Sequence, residues 1–296
     1  MDKAGKKRVG RRLRAVFRWL LIALIAALAV LFILNYLGVR FPWAPKRAEF
    51  SVTFIDVGQG DAALIMTETA AIAVDVGPAG VAETTADRIF ALAGRLDCIV
   101  VTHPHEDHAG ALYEVLNTVP TDRIIMNADA SDASYFTRAL DLIEKKEIPV
   151  TEGKAGDRYE IGDITLEIFA PIEYTDDMNS NSIVLRASSG GTSVLITGDA
   201  TLDEEAAILG KYKDLKADIL KVGHHGSSTS TGEDFLKAVC PKTAVISCGA
   251  GNSYGHPHNS TVTRILDSGA EIYRTDKSGT VTVYVEENEL KVKTQD

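Results

Sequence analysis

All seven histidines of this 296-residue chain fall in three short clusters. The first cluster is T-H-P-H-E-D-H-A-G, and the others are G-H-H-G-S-S and Y-G-H-P-H. Neutral imidazoles beside carboxylates are ligands that Zn²⁺ and similar divalent ions accept. Histidines used only for packing or surface polarity would be scattered along the chain. The pattern therefore predicts a metal centre rather than a histidine-rich surface loop.

The first cluster supplies four candidate ligands. His103 and His105 are two positions apart, so an extended chain would point both rings to the same side. Asp107 and His108 follow where the chain turns into a helix, which lets them face a second ion. The alternative is that Asp107 only caps that helix. Because further metal-binding residues occur later in the chain, we predict that all four are ligands.

Those further residues follow apolar strands. Asp199 comes after S-V-L-I-T-G and can bridge two ions, although taken alone it would be interpreted as a helix N-cap. His224 and His225 follow D-I-L-K-V-G. Neighbouring side chains on an extended chain point in opposite directions, so we expect one ligand from this pair and favour His224. The other histidine, and Ser227 just after it, would contact the substrate or a ligand.

The remaining candidates are proton-transfer and orienting groups. His256 and His258 lie in a loop that contains glycine and proline, and we predict that they contact the substrate. His256 is the candidate acid for the leaving oxygen, and Asp107 the candidate proton acceptor. Asp61 and Asp75 are predicted to orient ligand histidines. Both also occur in turn-forming sequences, G-Q-G-D and D-V-G-P, so turn formation alone is the alternative.

Two groups of predicted strands must position these residues. Short apolar or alternating runs, with helices between them, occur in both halves of the chain. This order predicts a mixed α/β fold with two sheets covered by helices on their outer faces. Helices are predicted near residues 82–93, 109–116, 135–146, 203–209, 233–238 and 260–268.

The motifs resemble those of the metallo-β-lactamase superfamily. H-P-H-E-D-H is similar to its H-x-H-x-D-H signature, D-V-G at Asp75 to its early aspartate motif, and T-G-D at Asp199 to its bridging aspartate. The chain resembles more closely the hydrolase domain of ComEC-type competence proteins. The residues that carry this likeness are F-I-D-V-G-Q-G-D-A, N-S-N-S-I-V-L, L-I-T-G-D, L-K-V-G-H-H-G-S-S-T-S and Y-G-H-P-H. The resemblance covers roughly residues 50–286.

The resemblance implies an αββα sandwich over residues 49–296, with two divalent ions, Zn²⁺ or Mn²⁺, at the edge between the sheets. It implies that His103 and His105 hold one ion. Asp107, His108 and one of the paired histidines would hold the other, with Asp199 shared.

One departure from the family pattern concerns the first ion. Many members use a further histidine, but no histidine occurs between His108 and His224. Asn181 or Ser182, in D-D-M-N-S-N-S, is expected to take its place. An oxygen ligand of this kind is weaker and would favour a harder ion such as Mn²⁺.

The N-terminus carries a separate signal. Residues 1–15 are basic, and residues 16–39 are almost continuously apolar, enough to cross a hydrocarbon core of ~30 Å. Because L-N-Y-L-G-V-R-F-P-W-A-P is a poor cleavage site, we favour a single-pass anchor over a signal peptide. The basic tail would be cytoplasmic and the catalytic domain extracytoplasmic, joined through residues 40–48.

Charge and cysteine content limit the substrates and cross-links. Residues 1–48 hold eleven Lys and Arg and one acidic residue, so a chain of net charge −10 carries −20 beyond them. The lysines there, such as Lys211 and Lys221, are scattered, whereas nucleic-acid binding relies on basic contacts to phosphate.

Three cysteines make no disulfide framework or zinc knuckle, although a Cys240–Cys248 bridge is conceivable in an exported domain.

We predict a phosphodiesterase that uses a metal-bound hydroxide. Its nuclease version, acting for example on single-stranded DNA, is weakened by the acidic charge. The alternatives are a surface phosphoester or ester/lactam hydrolase acting on a small or cell-wall substrate, and a non-enzymatic, degenerate metal-binding module. No obligate protein partner is evident.

Overall fold

The computed structural model describes residues 17–30 and 48–295. The chain divides into two units between Pro45 and Lys46. The larger unit contains two sheets and the helices that cover them.

The first sheet has eight strands. They are β1 (Ser51–Phe54), β2 (Ala62–Met66), β3 (Ala71–Val76), β4 (Cys98–Val101), β5 (Ile124–Met126), β6 (Val150–Glu152), β14 (Thr280–Glu286) and β15 (Glu289–Gln295). Their spatial order is β15-β14-β1-β2-β3-β4-β5-β6. The strands from β3 to β6 are parallel, and the others pair antiparallel.

The second sheet has seven strands. They are β7 (Arg158–Ile161), β8 (Ile164–Ala170), β9 (Val184–Ser189), β10 (Thr192–Ile196), β11 (Ile219–Lys221), β12 (Thr243–Ile246) and β13 (Glu271–Arg274). Their order is β13-β12-β11-β10-β9-β8-β7. The strands from β10 to β13 are parallel, so their carboxyl ends lie at one edge of the sheet.

The helices lie between the strands in sequence. They are α1 (Ala82–Ala93), α2 (Glu106–Ala109), α3 (Leu112–Thr118), α4 (Ser134–Lys145), α5 (Leu202–Lys211), α6 (Glu233–Val239), α7 (Asn259–Asp267) and α8 (Thr275–Ser278). Two 3₁₀ turns, Ala79–Val81 and Gly223–Gly226, complete the described helical elements of residues 48–295.

Three apolar layers show how the sheets and helices pack. In β2, Leu64 packs in a cluster with α1, α3 and α4, whereas the next residue, Ile65, packs between the sheets. This alternation follows from the two-residue period of a strand. A third cluster joins the second sheet to α5, α6 and α7, through residues such as Phe235. The predicted αββα sandwich, a mixed α/β fold, is confirmed.

The predicted location as a single-pass membrane protein with an extracytoplasmic domain is wrong. The described part of the N-terminal segment is a helix over residues 17–30. Within residues 17–30 and 48–295, no helix combines the length and apolar character that a membrane crossing needs. The predicted tail (1–15), the rest of the anchor (16 and 31–39) and most of the linker (40–47) lie outside the described residues.

The three cysteines are free thiols. Cys98 and Cys248 are buried, and Cys240 is exposed. The conceivable Cys240–Cys248 bridge is therefore absent.

Candidate metal centre

The first histidine cluster leaves the carboxyl end of β4. His103 is buried and His105 is half-buried, and their facing nitrogens, His103 Nε2 and His105 Nδ1, are 3.0 Å apart. The two rings therefore approach each other, as the H-x-H spacing predicts. Asp107 and His108 lie on α2, and Gly110 at the end of this helix is closely packed. A Cβ atom at Gly110 would be 2.4 Å from the Glu106 carbonyl oxygen.

Asp199 and His225 complete a compact group with the residues of α2. The Asp107 Oδ2 atom is 3.1 Å from His225 Nε2, and His108 Nε2 is 3.2 Å from Asp199 Oδ1. The same Asp199 oxygen is 3.7 Å from His225 Nε2. Asp199 follows β10 and His225 follows β11, so parallel strands bring the two residues together at one sheet edge.

Hydrogen bonds on the far side of each ring fix which nitrogen faces the centre. His108 Nδ1 is 2.7 Å from Asp75 Oδ2. Thr102 Oγ1 donates to Asp75 at 2.8 Å, and His103 Nδ1 can therefore donate to Thr102 Oγ1, 3.1 Å away. A protonated Nδ1 leaves the lone pair on Nε2, the atom directed into the centre. Asp75 thus orients two histidines, beyond any role in its turn.

The paired histidines are distinguished by their surroundings. His225 is buried, and its Nδ1 is 3.0 Å from the Ser247 carbonyl oxygen, which fixes the lone pair on Nε2. His224 is partly exposed, and its Nε2 is 3.5 Å from Asp199 Oδ2. The preference for His224 assumed an extended chain, but this segment is a turn with φ of 47° at His224 and 53° at His225. The buried His225 ring is thus fixed with Nε2 towards Asp107 and Asp199, whereas the His224 ring is not held in this way.

The inward-facing atoms fit metal ions. Among the described residues, His108 Nε2 and Asp199 Oδ1 are shielded from solvent and lack a hydrogen-bond partner. These ligand atoms lie close together and away from solvent, an arrangement that a divalent cation satisfies when it displaces the imidazole protons. Within residues 17–30 and 48–295, four groups of His, Asp or Glu place their ligand atoms within 4.8 Å of one another, among them His103–His108–Asp199 and Asp107–His108–His225.

The buried charges are strongly coupled. Burial by itself would raise the pKa of Asp199, but His108 and His225 hold it well below its ordinary value. Burial opposes a charge on His225 as well, yet Asp199 and Asp61 raise the pKa of its imidazole to about 10. The pKa of His108 is raised well above its ordinary range, against burial, by Asp199 and Asp75. Without metal, both imidazoles are therefore protonated.

Lys221 is a component of the site that sequence reasoning missed. Only 2% of this residue is exposed. Its ammonium lies 2.7 Å from Asp61 Oδ2 and donates to the Val222 carbonyl oxygen at 2.8 Å. Asp61 Oδ1 is in turn 3.5 Å from His225 Nδ1, so Asp61 lies between Lys221 and His225. The available signal was a lysine at the end of the otherwise apolar strand β11.

The Asn181 and Ser182 side chains hydrogen-bond with neighbouring residues of the site. The Asn181 amide is used within its own loop, accepting from the Thr175 N–H at 2.8 Å and donating to Asp129 at 2.9 Å. Ser182 Oγ is 3.3 Å from His103 Nδ1, the far nitrogen of that ring, and accepts from the Asp199 N–H at 3.1 Å. That one of them replaces the missing histidine stays a prediction. Ser182 instead positions His103 and Asp199.

The other predicted substrate contacts form one rim of the centre. His256 has its ring centroid 5.6 Å from that of His224 and 6.3 Å from that of His225. Burial, followed by the charge on His225, lowers the pKa of His256 to about 4. His258 Nδ1 accepts from the Ser228 N–H at 2.8 Å. Ser227 is buried beneath this rim, where its carbonyl oxygen accepts from Thr261 Oγ1 at 2.8 Å.

Comparison with known proteins identifies the family of this chain. Residues 55–250 match the model of the family described as the metallo-beta-lactamase superfamily. The ComE operon protein 3 of Bacillus subtilis is 30% identical over 255 residues, which cover 79% of this chain and 33% of that protein. Competence protein ComA of Neisseria gonorrhoeae is 32% identical over 255 residues, covering 85% of this chain and 34% of that protein. The chain thus spans about a third of the length of these curated relatives.

A solved structure shows the same fold at lower identity. Igni18, a metallo hydrolase from the archaeon Ignicoccus hospitalis, is 16% identical with a TM-score of 0.52, and the match covers 80% of this chain and 100% of that one. At this identity the likeness concerns the fold alone.

Proposed function

The chain belongs to the metallo-β-lactamase superfamily, whose fold is that of metal-dependent hydrolases, and we propose that it is a binuclear phosphodiesterase. The proposal rests on the inward-facing ring nitrogens, which are oriented by hydrogen bonds to the outward-facing nitrogen of the same ring. His108 is held by Asp75 and His225 by the Ser247 carbonyl oxygen. Such outer hydrogen bonds orient metal ligands, and a degenerate site would have no need of them.

The residues sort into two ligand sets around one shared carboxylate. We propose that His103 and His105 hold the first ion, and that Asp107, His108 and His225 hold the second. Asp199 lies between the two sets. When bound, two divalent ions lower the pKa of a water and offset charge on phosphoryl oxygens. Zn²⁺ and Mn²⁺ are the ions to test, because the first set lacks the further histidine that many family members use.

Asp107 is the ligand best placed to accept a proton. Its side chain is 31% exposed, more than that of any other carboxylate in the group. Burial would raise the pKa of Asp107, but the hydrogen bond with His225 and the charge on His108 lower it to about 2. The carboxylate is therefore ionised at pH 7 and can take a proton while its other oxygen faces the centre.

The rim histidines can donate to the substrate. Because His258 Nδ1 accepts a backbone N–H, its neutral ring carries the proton on Nε2. His256 is neutral at pH 7, so it can donate a hydrogen bond to the leaving oxygen but is not a charged acid there. We propose that these two neutral rings bind substrate oxygens and donate hydrogen bonds that offset the charge on the leaving oxygen.

The substrate class follows from charge as much as from the fold. Phosphodiesters carry one negative charge, which the ions and the rim donors would face. The relatives named for competence make DNA one of the phosphodiesters to test. The charge of −20 beyond residue 48 opposes binding of a long polyanion. A small or single-stranded phosphodiester is therefore the substrate that we propose.

The test is metal analysis of the full chain followed by hydrolysis of bis-p-nitrophenyl phosphate with Mn²⁺ or Zn²⁺. We expect turnover with metal, and a loss of at least a hundredfold in Asp107→Asn, the order found when a general base is removed. Asp141→Asn, on the exposed surface of α4, is the matched control. If metal binds but neither this diester nor single-stranded DNA is cleaved, while an ester or a lactam is, the phosphodiesterase proposal is wrong.

A further inference from the structure

We infer that Tyr254 is a specificity-determining residue that stacks on a planar ring of the substrate beside the metal centre. This inference rests on the proposed phosphodiesterase function and extends it to the group attached to the phosphate. Tyr254 lies in the loop between β12 and α7 and is 66% exposed, the most exposed aromatic side chain of residues 48–295. An exposed aromatic ring at the border of a functional site can bury a large apolar area against a ligand.

The stacking geometry links Tyr254 to the centre. Its ring lies on that of His256 with an interplanar angle of 22° and a centroid distance of 5.7 Å. The His256 ring is in turn 6.3 Å from that of His225, a proposed ligand, at an angle of 29°. Three rings thus lead outward from the metal site, with Tyr254 at the outer end. Since His256 covers one face of Tyr254, the other face is left for a further ring.

The loop holds Tyr254 in place before any ligand binds. Asn252 Oδ1 accepts from the Tyr254 N–H at 3.1 Å and from the His256 N–H at 3.0 Å. The Asn252 amide donates to the carbonyl oxygens of Gly249 at 2.9 Å and His256 at 2.6 Å. The Gly249 N–H donates to Gln59 Oε1 at 3.1 Å, which ties the loop to the G-Q-G-D turn. An ordered platform loses little conformational entropy when it binds.

Charge makes stacking the more effective source of affinity here. Beyond residue 48, acidic residues outnumber Lys and Arg by twenty, so the domain disfavours a phosphate backbone away from the metal ions. Base stacking on an aromatic side chain needs no cation and tolerates any base, because every base has a π-face. A phosphodiester that bears a planar ring next to the scissile phosphate therefore gains contacts that an alkyl diester lacks.

The experiment compares two oligonucleotides that differ only in their rings. The metal-loaded full chain is assayed on a short oligothymidylate and on the same oligonucleotide made of abasic residues, which has identical phosphates. We expect Tyr254→Ala to raise KM for the oligothymidylate by roughly five- to a hundredfold, the range for one lost base stack. Its kcat, and its KM for the abasic strand, should stay within about twofold, as for a surface change. Tyr254→Phe should behave as wild type, and Leu266→Ala, another exposed apolar residue, is the control.

A binding measurement separates this inference from the proposed activity. In the metal-free protein, Tyr254→Trp should show fluorescence quenching by thymidine 5′-monophosphate, and Leu266→Trp should show none. If wild type hydrolyses neither strand but the quenching occurs, the phosphodiesterase proposal fails, and the inference that Tyr254 stacks on a planar ring is retained. If Tyr254→Ala impairs both strands equally, or if no quenching is seen, Tyr254 only maintains its loop and the inference is wrong.

Discussion

Replacing His225 with alanine should remove the second metal ion, whereas the same change at the adjacent His224 should not. His225 is buried, and its Nε2 is 3.1 Å from Asp107 Oδ2, with the lone pair fixed by the Ser247 carbonyl oxygen. His224 is partly exposed and has no comparable anchor on its ring: its Nδ1 makes no hydrogen bond with the described residues. The two variants therefore remove the same type of side chain at adjacent positions, so each is a control for the other.

The expected change in stability follows from the coupling between metal binding and folding. Losing an outer hydrogen-bond partner of a ligand already weakens metal binding about ten- to a hundredfold, so losing the ligand should exceed a hundredfold. At free metal ~100 times the wild-type Kd, binding stabilises the fold by about 2.7 kcal/mol, and a hundredfold weaker site retains only about 0.4 kcal/mol. That difference corresponds to a loss of roughly 5–9 °C from the metal-dependent rise in Tm.

The assay is thermal unfolding of each variant with chelator and with metal, together with titration calorimetry. Comparing each variant with its own metal-free form removes the cost of the cavity that alanine leaves at a buried position. We expect His224→Ala to keep its Kd within about threefold of wild type, as a surface substitution would. If His224→Ala loses the metal-dependent rise and His225→Ala keeps it, the orientation argument from Ser247 is refuted.

Three further predictions concern residues around the ligands. Asp75→Asn should weaken metal binding about ten- to a hundredfold in calorimetry, because it disturbs the bond that orients His108; unchanged affinity would show that Asp75 serves only its turn. Lys221→Met should destabilise the metal-free protein to denaturant by up to about 3–5 kcal/mol, since it removes the nearest positive charge from the buried Asp61 carboxylate and leaves only the more distant His225, and Asp61→Leu in the same chain should restore much of the loss. Burial raises the pKa of Glu205 to about 7 from 4.5, so the folded state holds this proton more tightly and stability should fall by about 3 kcal/mol as pH rises from below 4.5 to above 7. Glu205→Gln should remove that slope from denaturant unfolding measured across the range, and an unchanged slope would assign it to other groups.

The parts of the site that depend on local periodicity were predictable from sequence. The spacing of His103 and His105 depends only on alternation in an extended chain, and the two rings indeed meet. The apolar runs of β4, β10 and β11 are buried on both faces, so their patterns were clear. The strands that were not predicted, β6, β7 and β15, are all sheet edges with partly exposed residues, and their sequences lack an apolar run.

The parts that depend on turns and on distant partners were not predictable. His224 and His225 adopt positive φ, which reverses the orientation that an extended chain would give. Ser247 is 22 residues away from the histidine that its carbonyl oxygen fixes. Lys221 pairs with an aspartate 160 positions earlier in the sequence, a pairing that only the folded sheets create. No spacing rule reports contacts of this kind.

The charge of the assembled centre gives a reason for the buried lysine. Four carboxylates meet there, namely Asp61, Asp75, Asp107 and Asp199, while Lys221 and the protonated His108 and His225 contribute three positive charges. The metal-free centre is thus close to neutral, with a net charge of about −1, which limits the cost of burying it. Two divalent ions that displace the two imidazole protons would shift the net charge to about +1. Without Lys221 the loaded centre would be neutral. The hydroxide nucleophile then adds one negative charge, so the reactive centre is about neutral with Lys221 and about −1 without it. In a strongly acidic domain, the lysine therefore limits the repulsion of a singly charged phosphodiester.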